Sequence, residues 1–131
     1  MKTFTIILFS LFFSNAILAQ KSDLMIRISE IEIEPAFRKE YLDILNEEAS
    51  ASVRLEPGVL SIFPMFQKEN QNQIRILEIY ADKSTYESHL KTSHFLKYKT
   101  TTIKMVKSLK LIDMEASDSI TMKEIFKKIQ K

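Results

Sequence analysis

Only one position in this chain has an unrestricted backbone. Gly58 is the sole glycine among 131 residues, and it stands in Arg54-Leu55-Glu56-Pro57-Gly58-Val59-Leu60. Pro57 disfavours the α region at Glu56, so a helix arriving from upstream must stop there. Gly58 can take the positive φ that swings the chain into a strand. A helical pattern lies upstream and two strand-like runs lie downstream, so the chain is expected to be organised around this helix-to-strand corner. A single glycine is also an exclusion, because a P-loop or a dinucleotide-binding fingerprint needs several in one turn.

Residues 25–33 (MIRISEIEI) place Ile26 and Ile28 in one alternating phase and Ile31 and Ile33 in the other. That predicts a strand burying both faces along part of its length, or carrying a bulge. Pro35 suits a first helical position, and Glu34 favours a helix N-terminus. Over 36–54, Phe37, Tyr41, Ile44, Leu45, Ala49 and Val53 recur at three- and four-residue steps, the pattern of an amphipathic helix covering a sheet. Residues 59–67 (VLSIFPMFQ) read as a strand in which Pro64 implies an edge or a bulge. After a polar hairpin loop, 68–72, residues 73–81 (QIRILEIYA) form the strongest strand pattern. Ile74, Ile76, Glu78 and Tyr80 share one face, and Arg75, Leu77 and Ile79 the other.

Asp82 caps a predicted helix over 83–92 that puts Tyr86, His89 and Leu90 on one face. Ser93 recaps, and a further helical pattern covers 94–106. Residues 109–114 (LKLIDM) read as a fourth strand. Asp118 starts a last amphipathic segment lined by Ile120, Ile125, Phe126 and Ile129. The order β-α-β-β-α-β plus a C-terminal helix is an α+β, ferredoxin-like split βαβ arrangement: a four-stranded antiparallel sheet with helices on one face. The strands look apolar on both faces, so the second face is expected to meet another sheet, most simply in a homodimer.

Residues 1–19 are expected to lie outside the fold. Lys2 supplies a positive n-region, residues 4–13 (FTIILFSLFF) an apolar h-region, and Ala19 a small residue before Gln20. This is the pattern of a secretory signal peptide cleaved after Ala19, and it predicts a secreted or periplasmic protein. The rival, an uncleaved anchor, has an apolar run short for a membrane span. The domain is then 20–116, with a C-terminal amphipathic helix over 117–131. The formal charge of +2 is close to neutral and argues against a nucleic-acid partner. The chain has no cysteine, so disulfides, thiolate metal sites and a cysteine nucleophile are excluded.

Glu56-Pro57-Gly58, then a strand, a polar hairpin, Leu77-Glu78-Ile79-Tyr80-Ala81-Asp82 and Tyr86-x-x-His89-Leu90-x-x-Ser93-His94-Phe95 together resemble the antibiotic biosynthesis monooxygenase (ABM) superfamily. The resemblance is to its small quinol-monooxygenase-like members and covers roughly residues 24 to 115. It implies a dimeric α/β barrel in which two sheets enclose apolar cavities. It also implies oxidation of quinols or polyketide phenols by O2 without a cofactor, although relatives degrade haem or process a phosphorylated autoinducer. The chain departs from the pattern in having no tryptophan, and Tyr80 stands where many members carry an indole. Lys99 occupies, by spacing, the histidine position of the haem-degrading branch, which disfavours that activity.

An oxygenase without a cofactor needs a titratable group in an apolar cavity with aromatic walls. His89 is a candidate base, against the plainer role of a hydrogen-bonding histidine at the helix–sheet boundary. Glu78 is either a second base or a carboxylate tied to Arg27 or Arg75. Tyr80, Phe63, Tyr86 and His94 are candidate substrate-binding residues, with core packing as the rival role for the aromatics and turn stabilisation for His94. No metal site is expected: His89 and His94, about 140° apart on an ideal helix, converge only through a break near Ser93. Lys97, Lys104 and Lys107 make a basic stripe of the kind that usually faces solvent. Two functions follow: an exported monooxygenase acting on a quinol or similar small aromatic, or a non-catalytic dimeric barrel binding a small apolar molecule in the cell envelope. The C-terminal helix is expected to dock on the barrel or its partner, with membrane contact through its lysines as the rival.

Overall fold

The structure, a computed structural model, describes residues 23–130. The expected signal peptide lies outside the described residues. Four strands, β1 (Met25–Ile33), β2 (Val59–Phe66), β3 (Gln73–Tyr80) and β4 (Val106–Met114), form one open antiparallel sheet in the order β2-β3-β1-β4. The helices are α1 (Arg38–Leu55), α2 (Lys83–His89), α3 (Ser93–Thr102) and α4 (Ser119–Ile129), with short 3-10 turns at Pro35–Phe37 and Ile103–Met105. The expected ferredoxin-like order is present. The sheet of one chain is open, so a closed barrel requires a second copy.

Strand β1 buries its core face from Ser29 to Ile33 and half-buries the other. Its register against β3 runs unbroken from Met25 to Glu32, so the phase change in its isoleucines is not a bulge. The one irregularity lies opposite β4, between Glu32 and Ile33. Ile31 and Ile33 point with Ile74 and Ile76 into the core under α1, whereas Ile26 and Ile28 line the opposite face. Complete burial of Ile33, Leu45 and Ile74 contributes about 1.5–3 kcal/mol each. Pro64 lies on β2, an edge strand, as its missing N–H requires.

The core face of α1 differs from the apolar pattern. Its buried residues are Tyr41, Leu45, Glu48, Ala49 and Ser52, while Val53 is 46% exposed. The helix is thus turned so that two polar residues continue the stripe of Tyr41 and Leu45. The second helical region also differs: α2 ends at His89, and Thr92 rather than Ser93 caps α3, accepting from the Phe95 N–H at 3.3 Å. Strand β4 begins at Val106, where the expected helix is replaced by a 3-10 turn that buries Met105. Helix α4 is capped by Asp118 as expected and lies over the other sheet face, leaving Ile120 and Ile129 more than 70% exposed.

Gly58 does end the helix-to-strand corner, but not through a positive φ, which it does not have. Glu56 is extended at the end of α1, as a residue before proline should be. What requires glycine at 58 is space. A Cβ there would stand 2.4 Å from Thr85 Cγ2 and 2.6 Å from its Oγ1, in the first turn of α2. The Gly58 carbonyl meanwhile accepts from the Ala81 N–H at 2.8 Å, fastening β2 to the entry of that helix. Gly58→Ala is therefore expected to destabilise the fold by about 1–3 kcal/mol in urea unfolding. Adding Thr85→Ala should recover about 1 kcal/mol or more through the coupling of the two sites. Additive losses would contradict the close approach.

Candidate active site

Between the sheet and helices α1 to α3 lies a cavity of about 280 Å³. Its sheet side carries Arg27, Ser29, Ile76, Glu78 and Tyr80, and its helix side Leu45, Glu48, Tyr86, His89, Phe95 and Tyr98. Lys99, Leu109 and Leu111 stand at the side of the exposed β4 edge. Strand alternation sends Glu78 and Tyr80 to the same face as Ile74 and Ile76, which is why a carboxylate enters an otherwise apolar layer.

Glu78 is held by hydroxyls rather than by a cation. Ser29 Oγ donates to its Oε1 at 2.5 Å and the Tyr80 hydroxyl to its Oε2 at 2.7 Å. Of the two roles open to Glu78 in the sequence, the pairing with Arg27 or Arg75 is not the one found. Arg27 binds Asp113 at 2.8 Å, donates to the Tyr86 hydroxyl at 2.7 Å and lies over the Tyr86 ring, while Arg75 faces Glu30 on the opposite sheet surface. Register alone does not decide this, since Arg27 on the central strand β1 sits opposite both Glu78 on β3 and Asp113 on β4; the guanidinium turns to the β4 side, and the Glu78 oxygens are taken by Ser29 and Tyr80. Burial, and then the neighbouring Glu78 carboxylate, pushes the Tyr80 phenol far above its ordinary value. The Tyr98 phenol, paired with that of Tyr41 at 2.7 Å, is pushed up to about 12 by burial.

His89 is 2% exposed, and its two nitrogens face different carboxylates. Nδ1 is 3.0 Å from Glu56 Oε2, and Nε2 is 3.6 Å from Glu48 Oε1. The same Glu56 oxygen lies 2.6 Å from His94 Nε2. The break between α2 and α3 thus does bring the two histidines together, where an unbroken helix would keep them apart. The three residues form a possible metal-ligand group. Yet two donors on one four-coordinate ion stand about 3.4 Å apart, so the contact of 2.6 Å is that of a hydrogen bond. Desolvation raises the Glu56 carboxyl, but the hydrogen bonds and charges of His89 and His94 outweigh it and hold the group below its usual range. Glu48 is the reverse case: burial raises it, and the Ser52 hydroxyl, donating at 2.7 Å, offsets only part of that.

Five of the six residues singled out from sequence gather here: His89, Glu78, Tyr80 and Tyr86 line the cavity and His94 stands behind it. Phe63 does not. It is 58% exposed on the opposite sheet face, beside a second, apolar cavity of about 710 Å³ between the sheet and α4. Glu48, Glu56 and Ser52 went unrecognised in the sequence, although 41, 45, 48 and 52 continue one helical stripe and Glu56 belongs to the Glu-Pro-Gly motif. In the basic stripe, Lys97 and Lys107 pair with Glu47 and Glu32 at the surface. Among the described residues no helix is long and apolar enough to cross a membrane.

The family model for antibiotic biosynthesis monooxygenases matches residues 25–101. The chain belongs to this family. A crystal structure from Bacteroides thetaiotaomicron, of a protein assigned to the antibiotic biosynthesis monooxygenases, is 47% identical. The match covers 73% of this chain and 91% of that one, with a TM-score of 0.73. A Lactobacillus acidophilus protein assigned as a monooxygenase is 26% identical over 71% of this chain but only 44% of its own length, with a TM-score of 0.69. A Nitrosomonas europaea protein, 14% identical over 76% of this chain and 95% of that one with a TM-score of 0.71, shows the shared fold. No curated protein matches the chain.

The raised Glu48 has a consequence for stability. A carboxyl with a raised folded-state value contributes fully at low pH, where it is protonated in both states, and loses that contribution as the pH rises through the folded-state value. Glu48→Gln abolishes this loss and keeps an acceptor for Ser52. Its melting temperature is expected to exceed that of the wild type at pH 8 and to converge on it near pH 4. A variant less stable than the wild type at pH 8 would show that His89 stabilises the ionised carboxylate instead.

Proposed function

We propose that the protein is a monooxygenase that oxidises a compact hydroxyaromatic, a quinol or similar phenol, with O2 and without a cofactor. The observation that carries this reading is the buried imidazole of His89. One of its nitrogens is backed by a carboxylate, and the other lies on the side of an aromatic-walled cavity. In this reading His89 Nε2 removes the hydroxyl proton, and Glu78, already accepting from Ser29 and Tyr80, orients the substrate or takes a second proton. The electron-rich anion then reduces O2. For a phenol, one oxygen atom enters the ring, the ring C–H and O–H become two carbonyls, and the other oxygen leaves as water. Tyr80, Tyr86, Phe95 and Tyr98 give the planar ring its walls. A volume at the low end for small-molecule sites favours one or two fused rings.

The reading extends to assembly and location. The exposed Leu109 and Leu111 at the β4 edge, and Phe63, Met65 and Met114 on the opposite sheet face, favour a homodimer that closes the open sheet into a barrel. The signal-peptide pattern of residues 1–19 supports export, with the activity then outside the cytoplasm. Light scattering of the mature protein is expected to give a dimer, and mass spectrometry of the exported protein an N-terminus at Gln20.

A second reading has its own observation in the larger apolar cavity under α4, which suits a protein that holds an apolar molecule without transforming it. O2 uptake with a panel of hydroquinones, corrected against heat-denatured protein, separates the two. Enzyme-dependent uptake that falls about 10²–10⁴-fold in His89→Ala and is reduced in Glu78→Gln is expected for the monooxygenase. Absence of uptake, with saturable binding of an apolar ligand that weakens in Phe63→Ala, would overturn it in favour of the binder.

A further inference from the structure

We infer that Glu56 and His94 are positioning residues for His89. Glu56 accepts the His89 Nδ1 proton and so leaves Nε2 bare toward the cavity, and His94 pins the Glu56 carboxylate in the place where it can do so. The inference deepens the reading of His89 as the base, but the tautomer it specifies exists whether or not the protein turns over a substrate.

Directionality follows from which residues touch the cavity. Glu48, next to Nε2, lines it, whereas Glu56 and His94, on the Nδ1 side, do not. An ionised carboxylate only accepts hydrogen bonds, so both ring nitrogens that meet Glu56 Oε2 must carry protons. A neutral His89 therefore keeps its lone pair at Nε2. That lone pair is uncommitted, because the 3.6 Å to Glu48 is beyond hydrogen-bond reach. Phe95 at 4.9 Å and Tyr80 at 5.5 Å between ring centroids hold the imidazole plane.

Glu56 needs an anchor because it lies past the last turn of α1, in extended backbone. Its carboxylate has two side-chain partners, and the shorter contact is the one to His94. That donor has a second effect. When His89 takes up a proton, the competing hydrogen bond from His94 makes Glu56 a poorer base and favours the imidazolium beside the carboxylate over a neutral pair. The local fold supplies this arrangement: Thr92 Oγ1 donates to the His89 carbonyl at 2.8 Å and caps α3, which returns His94 to the end of α1.

Long-range 1H–15N correlation spectra of histidine-labelled wild-type protein near neutral pH are the test. His89 is expected as the Nδ1–H tautomer, with Nε2 unprotonated. Glu56→Gln, whose amide can donate to Nδ1, is expected to shift His89 to the other tautomer or a mixture, and to reduce kcat about 10²–10⁴-fold with little change in KM. His94→Ala should give a tautomer mixture and a loss of about tenfold, and His94→Gln, which keeps an N–H donor, should restore most of both. A wild-type Nε2–H tautomer would overturn the inference even if no variant folds. So would a tautomer unmoved in a folded Glu56→Gln protein. The expected spectra without turnover on any hydroquinone would leave the positioning standing and remove the monooxygenase reading.

Discussion

One carboxylate oxygen, Oε2 of Glu56, joins three elements: the end of α1, the end of α2 and the first turn of α3. Pro57 stops α1 so that Glu56 is extended and free to turn inward. Gly58 lets α2 approach so closely that any side chain would collide with Thr85. Thr92 breaks the second helical region so that His89 and His94 face the same group. Each of these local choices concerns a few atoms, and together they decide where the imidazole of His89 points.

Around that junction the helix–sheet layer is polar where packing alone would make it apolar. Glu48 and Ser52 occupy core positions of α1, and Ser29 and Glu78 occupy core-facing positions of the sheet. Burying carboxylates this way weakens a fold unless each is hydrogen-bonded. Here each has at least one hydroxyl or imidazole donor. Such departures from the consistent apolar pattern are expected where a site requires them. Ser29, Glu48 and Glu78 line one cavity, whereas the larger cavity under α4 presents a mostly apolar wall. The two sheet faces thus differ in chemistry, and the buried Glu48 and His89 lie on only one of them.

The fold was legible because alternation and helical periodicity report burial, and the four strands and α1 declare it strongly. The family motif then tied the corner, the hairpin and the histidine region into one order. Less was legible at the site. The apolar pattern placed Tyr41, Ile44, Leu45 and Ala49 rightly on the inward side of α1 but added the exposed Val53 and omitted Glu48, because periodicity counts hydrophobic residues and cannot see a buried glutamate. Phe63 was grouped with Glu78, but residues on neighbouring strands share a face only in the correct register: Ile62, not Phe63, lies opposite Glu78. The convergence of His89 and His94 depends on a helix break of three residues, whose direction no spacing rule supplies.

The most direct test of the account is a crystal structure of the mature protein soaked with a naphthol under anaerobic conditions, where binding is separated from turnover. The account predicts the ring between the tyrosines of the smaller cavity, with its hydroxyl within hydrogen-bond distance of His89 Nε2 or Glu78. Naphthol bound only under α4 against Phe63 and Leu77, with the smaller cavity filled by water, would contradict it.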